Sequence, residues 1–134
     1  MADYEKRGFT SGKWAVKADL YNAGVKKCKI VSETNPEESG SFKNDDGSPV
    51  VQDVCKVQFE GQSEPLKVNL NRATINALID AFGRQSSKWQ GHELTVEIRK
   101  EQGKKYPIYL IPDGFAVEDD ENGYPVVVPA KPEL

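Results

Sequence analysis

Between Val25 and Ile111 several segments alternate apolar and polar residues in a period of two, and one has a helical period instead. Residues 25–33, VKKCKIVSE, put Cys28, Ile30 and Ser32 on one face and Lys27, Lys29 and Val31 on the other, which predicts a strand. Residues 51–60, VQDVCKVQFE, set Val51, Cys55, Val57 and Phe59 against Gln52, Lys56, Gln58 and Glu60, predicting a second strand. After the break at 61–64, Leu66, Val68 and Leu70 alternate with Lys67 and Asn69 and complete a predicted hairpin. The period then changes. In RATINALIDAF, Ile75, Leu78, Ile79 and Phe82 follow at spacings of three, one and three, with Asn71 placed to cap the helix start and Gly83 its end. A polar connector containing Trp89 leads to HELTVEIRKE, where Leu94, Val96 and Ile98 point inward and Thr95, Glu97 and Arg99 outward. A Gln102-Gly103 turn reverses the chain into KKYPIYLIP. There Tyr106, Ile108 and Leu110 oppose Tyr109 and Ile111, and Pro107 marks an edge or a bulge.

Three segments lack this regularity. Residues 1–24 are an irregular arm with Gly8, Gly12 and Gly24 and the separated aromatics Phe9, Trp14 and Tyr21, and 13–20 form a short strand or turn. Residues 34–49, TNPEESGSFKNDDGSP, are rich in turn formers and acids and are expected to be a long, exposed, mobile loop or hairpin extension. Residues 115–134 contain an Asn122-Gly123 turn between two apolar patches, which would suit a hairpin, together with three prolines and four consecutive acids from Glu118 to Glu121. An acidic, Pro-containing tail is favoured over a packed hairpin.

The order strand, long loop, strand, strand, helix, strand, strand is that of the oligonucleotide/oligosaccharide-binding (OB) barrel. The expected fold is therefore mainly β: a small five-stranded OB-like barrel over 25–114, with one short α-helix between strands 3 and 4. Three stretches also resemble a group of small, mostly uncharacterised OB-fold-like proteins encoded by phages, plasmids and some archaeal genomes. They are WAVKADL, then LKVNLNRATINALIDAFG with its Asn-capped helix ending in Gly, and SSKWQGHELTVEI with its Trp-x-Gly leading into a strand. The resemblance runs from Trp14 to about Ile111, leaves out the acidic extension after Pro112, and implies a barrel-like protein associated with nucleic acid, with no activity attached.

Composition narrows the classes. At 134 residues, 37% hydrophobic and 29% charged, the chain is long enough to bury one core without a staple and too apolar to be wholly disordered. No run of 18 apolar residues could span a bilayer, and the opening residues mix acids and bases where a signal peptide needs an apolar stretch, so a cytoplasmic setting without membrane contact is expected. Cys28 and Cys55 lie in alternating segments with no second Cys or His at ligand spacing, and the expectation is two reduced, buried thiols. The sole histidine, His92, has no companion for a metal site. No metal or other cofactor is expected. With no phosphate loop, no nucleophile elbow and no His paired with Cys or carboxylate, the chain is not expected to be an enzyme.

The net charge of −3 hides a segregation. Residues 1–33 carry seven bases and four acids, 34–66 two and seven, 67–105 eight and four, and 106–134 one and six. If folding gathers the two basic blocks, bases interleaved with aromatics give what single-stranded DNA or RNA needs: cations for the phosphates and flat rings for the bases. The candidates are Lys13, Trp14 and Lys17 in the arm, Lys56 and Lys67 on strands, and Arg84, Lys88 and Trp89 after the helix. The final hairpin adds Arg99, Lys100, Lys104, Lys105, Tyr106 and Tyr109, with Tyr109 expected to face away from the core as a stacking platform. The acidic tail is expected to compete for the basic face or to recruit basic replication or host proteins. The alternative class is a protein-interaction module, or a phage accessory or structural protein, binding by strand addition near Pro107 and through YPVVVP.

Overall fold

The computed structural model describes residues 12–100 and 105–130. The fold is mainly β. In chain order it has α1 (Lys17–Ala23), β1 (Lys27–Ile30), β2 (Asn35–Lys43), β3 (Pro49–Phe59), β4 (Leu66–Asn69) and α2 (Arg72–Phe82). A 3₁₀ turn (Ser86–Trp89) and β5 (Glu93–Ile98), β6 (Ile108–Ile111), β7 (Phe115–Asp119) and β8 (Pro125–Pro129) follow. All strand pairs are antiparallel. No helix among the described residues is long and apolar enough to cross a membrane.

The spine of the sheet is β3, whose alternation buries Cys55, Val57 and Phe59. Along one edge its end pairs with β1 (Ile30 opposite Val57) and its start with β2 (Asn35 opposite Val54). Between those pairs five steps on one side face three on the other, so β1 and β2 are two lengths of one bent strand separated by a bulge. The bulge is bonded in place, with Val31 N donating to Lys56 O at 2.9 Å and Lys56 N donating to the Ser32 hydroxyl at 2.8 Å.

Of the two forms expected for 34–49, a long loop or a hairpin extension, the segment takes the second: it is mostly strand, and the turn shrinks to 44–48, where Asp46 Oδ1 accepts from Ser48 N at 2.9 Å. A polar strand at a sheet edge is held by backbone pairing rather than by a buried face, so it leaves no alternating pattern to read. Residues 17–23, expected in part as a short strand or turn, form a helix that buries Leu20 and ends on Gly24, whose φ of 68° is left-handed.

Hydrogen bonding links β4, β3, β1, β5 and β6 in that order, and the two ends do not pair, so the sheet is not closed into a barrel. Each end has another occupant. The outer edge of β4 takes the arm in a parallel bridge: Lys67 N donates to Lys13 O at 2.7 Å and Ala15 N to Lys67 O at 2.9 Å. The outer edge of β6 takes side chains from α2. Asn71 Nδ2 donates to Ile108 O at 2.8 Å, and Leu110 N donates to the fully buried Thr74 hydroxyl at 3.2 Å. Asn71 also caps α2, its Oδ1 accepting from Thr74 N at 2.9 Å, so one side chain starts the helix and ties it to the sheet. The strand edge expected to be open near Pro107 is therefore filled from within.

Ile75 and Leu78 of α2 pack with Ile30, Phe59, Leu94, Leu110 and Trp89 in the main core. Both cysteines lie in it as free thiols, and burial pushes each thiol pKa up to about 12. At pH 8 only ~1 in 10,000 of such thiols is the reactive thiolate. Native protein is expected to resist a thiol reagent such as dithiobis-nitrobenzoate for hours, whereas protein in 6 M guanidinium releases two equivalents of chromophore at once. Fast labelling of the native chain would contradict this core.

Residues 115–129, expected as the start of a loose tail, form the β7–β8 hairpin, with Phe115 opposite Pro129 and Val117 opposite Val127. Its turn is bonded by Asp120 Oδ1, which accepts from Asn122 N and Tyr124 N, both at 2.9 Å. Val127 packs with Ala77, Tyr109 and Ile111 in a second apolar cluster. This corrects the placing of Tyr109. The residue is out of phase with Ile108 and Leu110 but does not reach solvent, because the hairpin covers the outer face of β6 and leaves Tyr109 4% exposed.

Candidate nucleic-acid interface

An open groove of about 550 Å³ runs between the arm and the β2–β3 hairpin. Trp14, Lys17 and Lys67 line one side, Glu37, Glu38, Ser39 and Phe42 the other, and Gln52, Val68 and Asn69 contribute to its lining from β3 and β4. Trp14 is 48% exposed and Phe42 63%, each a large apolar surface left in water. The Lys67 ammonium rests over the Trp14 ring, 4.4 Å from its centroid.

The electrostatics of this side are unusual. Lys56 and Lys67 stand directly opposite each other on β3 and β4, an arrangement that costs stability because like charges face across the ladder. The described ion pairs join Lys27 to Glu93 and Arg99 to Glu97 and Asp119, and none relieves the lysine pair. Lys56 also runs beside the arm: a Cβ on Gly12, whose φ is +114°, would come within 3.3 Å of Lys56 Cε. Lys17, at the start of α1, has its pKa lowered by burial, so its charge is poorly solvated. Lys17 and Lys67 thus line the groove, with Lys56 opposite Lys67 on the neighbouring strand.

The surface continues past Lys17. A hollow of about 670 Å³ is lined by Ala15, Lys17, Ala18, Lys100 and Tyr106, and one of about 350 Å³ by Lys17, Lys105, Tyr106 and Pro107. Tyr106 is itself held by Tyr21, ring centroids 5.4 Å apart.

No known protein family, curated protein or solved structure matches this chain. What the groove can bind is therefore decided by its own chemistry. Trp14, Lys17 and Lys67 line the groove, Lys100, Lys105 and Tyr106 line hollows that share Lys17 with it, Lys56 stands opposite Lys67, and Lys13 is joined to Lys67 through its backbone.

The remaining candidates lie elsewhere. Trp89 is 4% exposed and donates its indole N–H to Gly83 O at 2.8 Å, closing the end of α2. Arg84 and Lys88 are exposed on the connector beyond α2 and line no part of the groove. Arg99 is bonded to Glu97 at 2.9 Å, which raises its pKa further, and lies 3.5 Å from Asp119. Lys104 falls outside the described residues. His92 stacks on Phe82, ring centroids 3.9 Å apart, and its Nε2 lies 3.0 Å from Lys88 O. Among the described residues no cluster of His, Cys, Asp and Glu is set to hold a metal.

Phe42 is the residue that reading for bases missed. Its signal was available, since a lone aromatic in a stretch otherwise made of Gly, Ser, Asn, Asp and Lys has no apolar neighbour in sequence to share a core with.

Proposed function

We propose that this chain binds single-stranded nucleic acid without catalysis, on an OB-like scaffold, with the groove between Trp14 and Phe42 as the centre of the site. The observation that carries this reading is the Lys56–Lys67 pair: two cations facing each other beside an exposed tryptophan cost the empty fold stability and become favourable only when an anion lies over them. Phosphates lie along Lys17, Lys56 and Lys67 while bases stack on Trp14 and Phe42.

The scaffold supports the same reading by analogy of fold. If the bent β1–β2 strand, β3, β4, β5 and β6 are the five OB strands, α2 lies between the third and fourth, as the scheme requires. OB domains bind on strands 2 and 3 with the loops joining strands 1 to 2 and 4 to 5. Those elements are β3, β4, the β2–β3 hairpin and the 99–107 connection, which carry Lys56, Lys67, Phe42, Lys100, Lys105 and Tyr106.

Trp89 is sealed and hydrogen-bonded, so a change of indole fluorescence on binding reports Trp14. Titration with a dT oligomer is expected to quench it, with log K falling against log salt at a slope of about −2 to −3 for three or four cations. Fluorescence that stays flat at low and moderate salt overturns the reading and returns the chain to the protein-interaction class. In that class β2, at the outer end of the sheet with Phe42 exposed on it, is the strand to test.

A further inference from the structure

Resting on that reading of the groove, we propose that a bound single strand does not end there but runs on over Lys17 to a second stacking station, the Tyr106 ring, where Lys100 and Lys105 hold its phosphates. The observation that points to this path is that one side chain borders three openings at once. Lys17 lines the Trp14 groove and both hollows beside Tyr106. A polymer that enters at the groove therefore reaches either hollow without passing beyond the same ammonium.

The hollows are chemically unlike the groove. Glu37 and Glu38 line the groove, whereas among the described residues neither hollow has an acid in its lining. What surrounds the hollows is Lys17, Lys100, Lys105 and Tyr106, with two alanines and a proline for the rest. None of the three lysines takes part in an ion pair among the described residues. A phosphate entering either hollow thus meets ammonium groups and no carboxylate of the lining. Burial holds the Lys17 pKa below its ordinary value, and a phosphate beside that ammonium would replace the solvation that burial removes.

Tyr106 is held as a platform. Ile98 stands opposite Ile108, and Arg99 N donates to Pro107 O at 3.1 Å, so the backbone that follows the tyrosine is fixed to β5. Tyr21 of α1 steadies the ring itself, with centroids 5.4 Å apart and planes inclined at 52°. The half-buried tyrosine still borders both hollows. A ring already held loses little rotamer freedom when a base stacks on it. Trp14 and Tyr106 then give two stations with Lys17 common to both. Stacking on such rings tolerates any base, so the signature of the path is the length of the strand and not its sequence.

The test uses the full chain with a thymidine tetramer and octamer, each carrying a terminal fluorescein and read by anisotropy, so that binding away from Trp14 is also seen. The octamer is expected to bind about 100-fold tighter than the tetramer at low salt, with a salt slope steeper by about 0.7 for each further lysine engaged. Tyr106→Ala is expected to weaken the octamer about 10-fold and the tetramer less than about 2-fold, while Tyr106→Trp keeps both. Lys100→Ala and Lys105→Ala in one chain are expected to return the octamer's salt slope to that of the tetramer. An octamer gain within about 5-fold, which the extra registers of a longer oligomer give a four-nucleotide site by themselves, overturns the path and leaves the groove standing. A larger gain that survives both sets of changes overturns the assignment to these hollows. Equal weakening of tetramer and octamer by Tyr106→Ala makes the ring structural and overturns the platform. Failure of both oligomers to bind the unmodified protein overturns the proposed function itself.

Discussion

A Leu78→Asp chain is expected to be unfolded at 25 °C. Leu78 is fully buried in α2 and shares the main core with Ile30, Phe59, Leu94 and Leu110, so no rotamer carries a carboxylate from there to water. Losing the leucine contacts costs about 2–5 kcal/mol, by the measure of Leu→Ala changes in cores. Leaving an unpaired charge, or the proton uptake that avoids it, costs about 3–5 kcal/mol more. The sum is comparable with the whole stability of a domain this size, about 5–15 kcal/mol. Far-UV circular dichroism without a cooperative urea transition is the expected readout. Leu78→Met, which keeps volume and apolarity, is expected to stay folded with a loss below about 1.5 kcal/mol. A native-like spectrum for Leu78→Asp would mean that α2 does not close the core as described.

Lys56→Glu is expected to move stability and binding in opposite directions. The substitution puts opposite charges across the Lys56–Lys67 rung, turning a repulsive pair into an attractive one and stabilising the fold by about 0.2–1 kcal/mol. On the proposed reading it also removes one phosphate contact and places an anion beside the groove, so affinity for a dT oligomer is expected to fall roughly 10- to 100-fold at low salt and the salt slope to shallow by about 0.7 or more. Urea melts and fluorescence titrations of the same preparation measure both. A residue that matters only for the sheet would lose stability and binding together. Gain in one with loss in the other is the mark of a cation retained for a ligand at the expense of the empty fold. If the variant binds as well as the unmodified protein, the lysine pair is not the phosphate site.

The elements legible in the sequence are those that turn an unbroken apolar row to the main core. The Asn71 cap with Ile75, Leu78, Ile79 and Phe82 marked α2, and the alternations around Val57, Val68, Val96 and Leu110 marked β3, β4, β5 and β6. Where pairing or a second layer decides the outcome, the same rules mislead. Asn35–Lys43 forms strand because β3 is long enough to offer it an edge, information that lies in another segment. Tyr109 is buried because a hairpin that begins at Phe115 lies over it, and alternation alone assigns such a residue to water. The open ladder depended on Thr74 and on the arm, neither of which carries an apolar signature for closing a sheet.

Of the candidate surface, the arm and strand lysines with Trp14 were visible as bases beside an aromatic. Their convergence was not. It follows from two backbone hydrogen bonds to Lys67 and from a cross-strand rung, and neither can be read without the register. The place of Glu37 and Glu38 beside Trp14 in the groove likewise depends on 34–49 pairing with β3 as a strand.

Among the described residues the arm is bonded to β4 at one point, two backbone hydrogen bonds running to Lys67. Two such bonds on a surface strand open far more readily than the core does. When they part, Trp14 leaves the groove and the margin of β4 lies bare, able to recruit another chain as an extra strand. Ligand held by Trp14 and Lys67 keeps that margin shut by mass action. On the proposed reading the unoccupied protein is thus the form prone to edge-to-edge aggregation, and an added oligonucleotide is expected to act as a solubilising agent in storage.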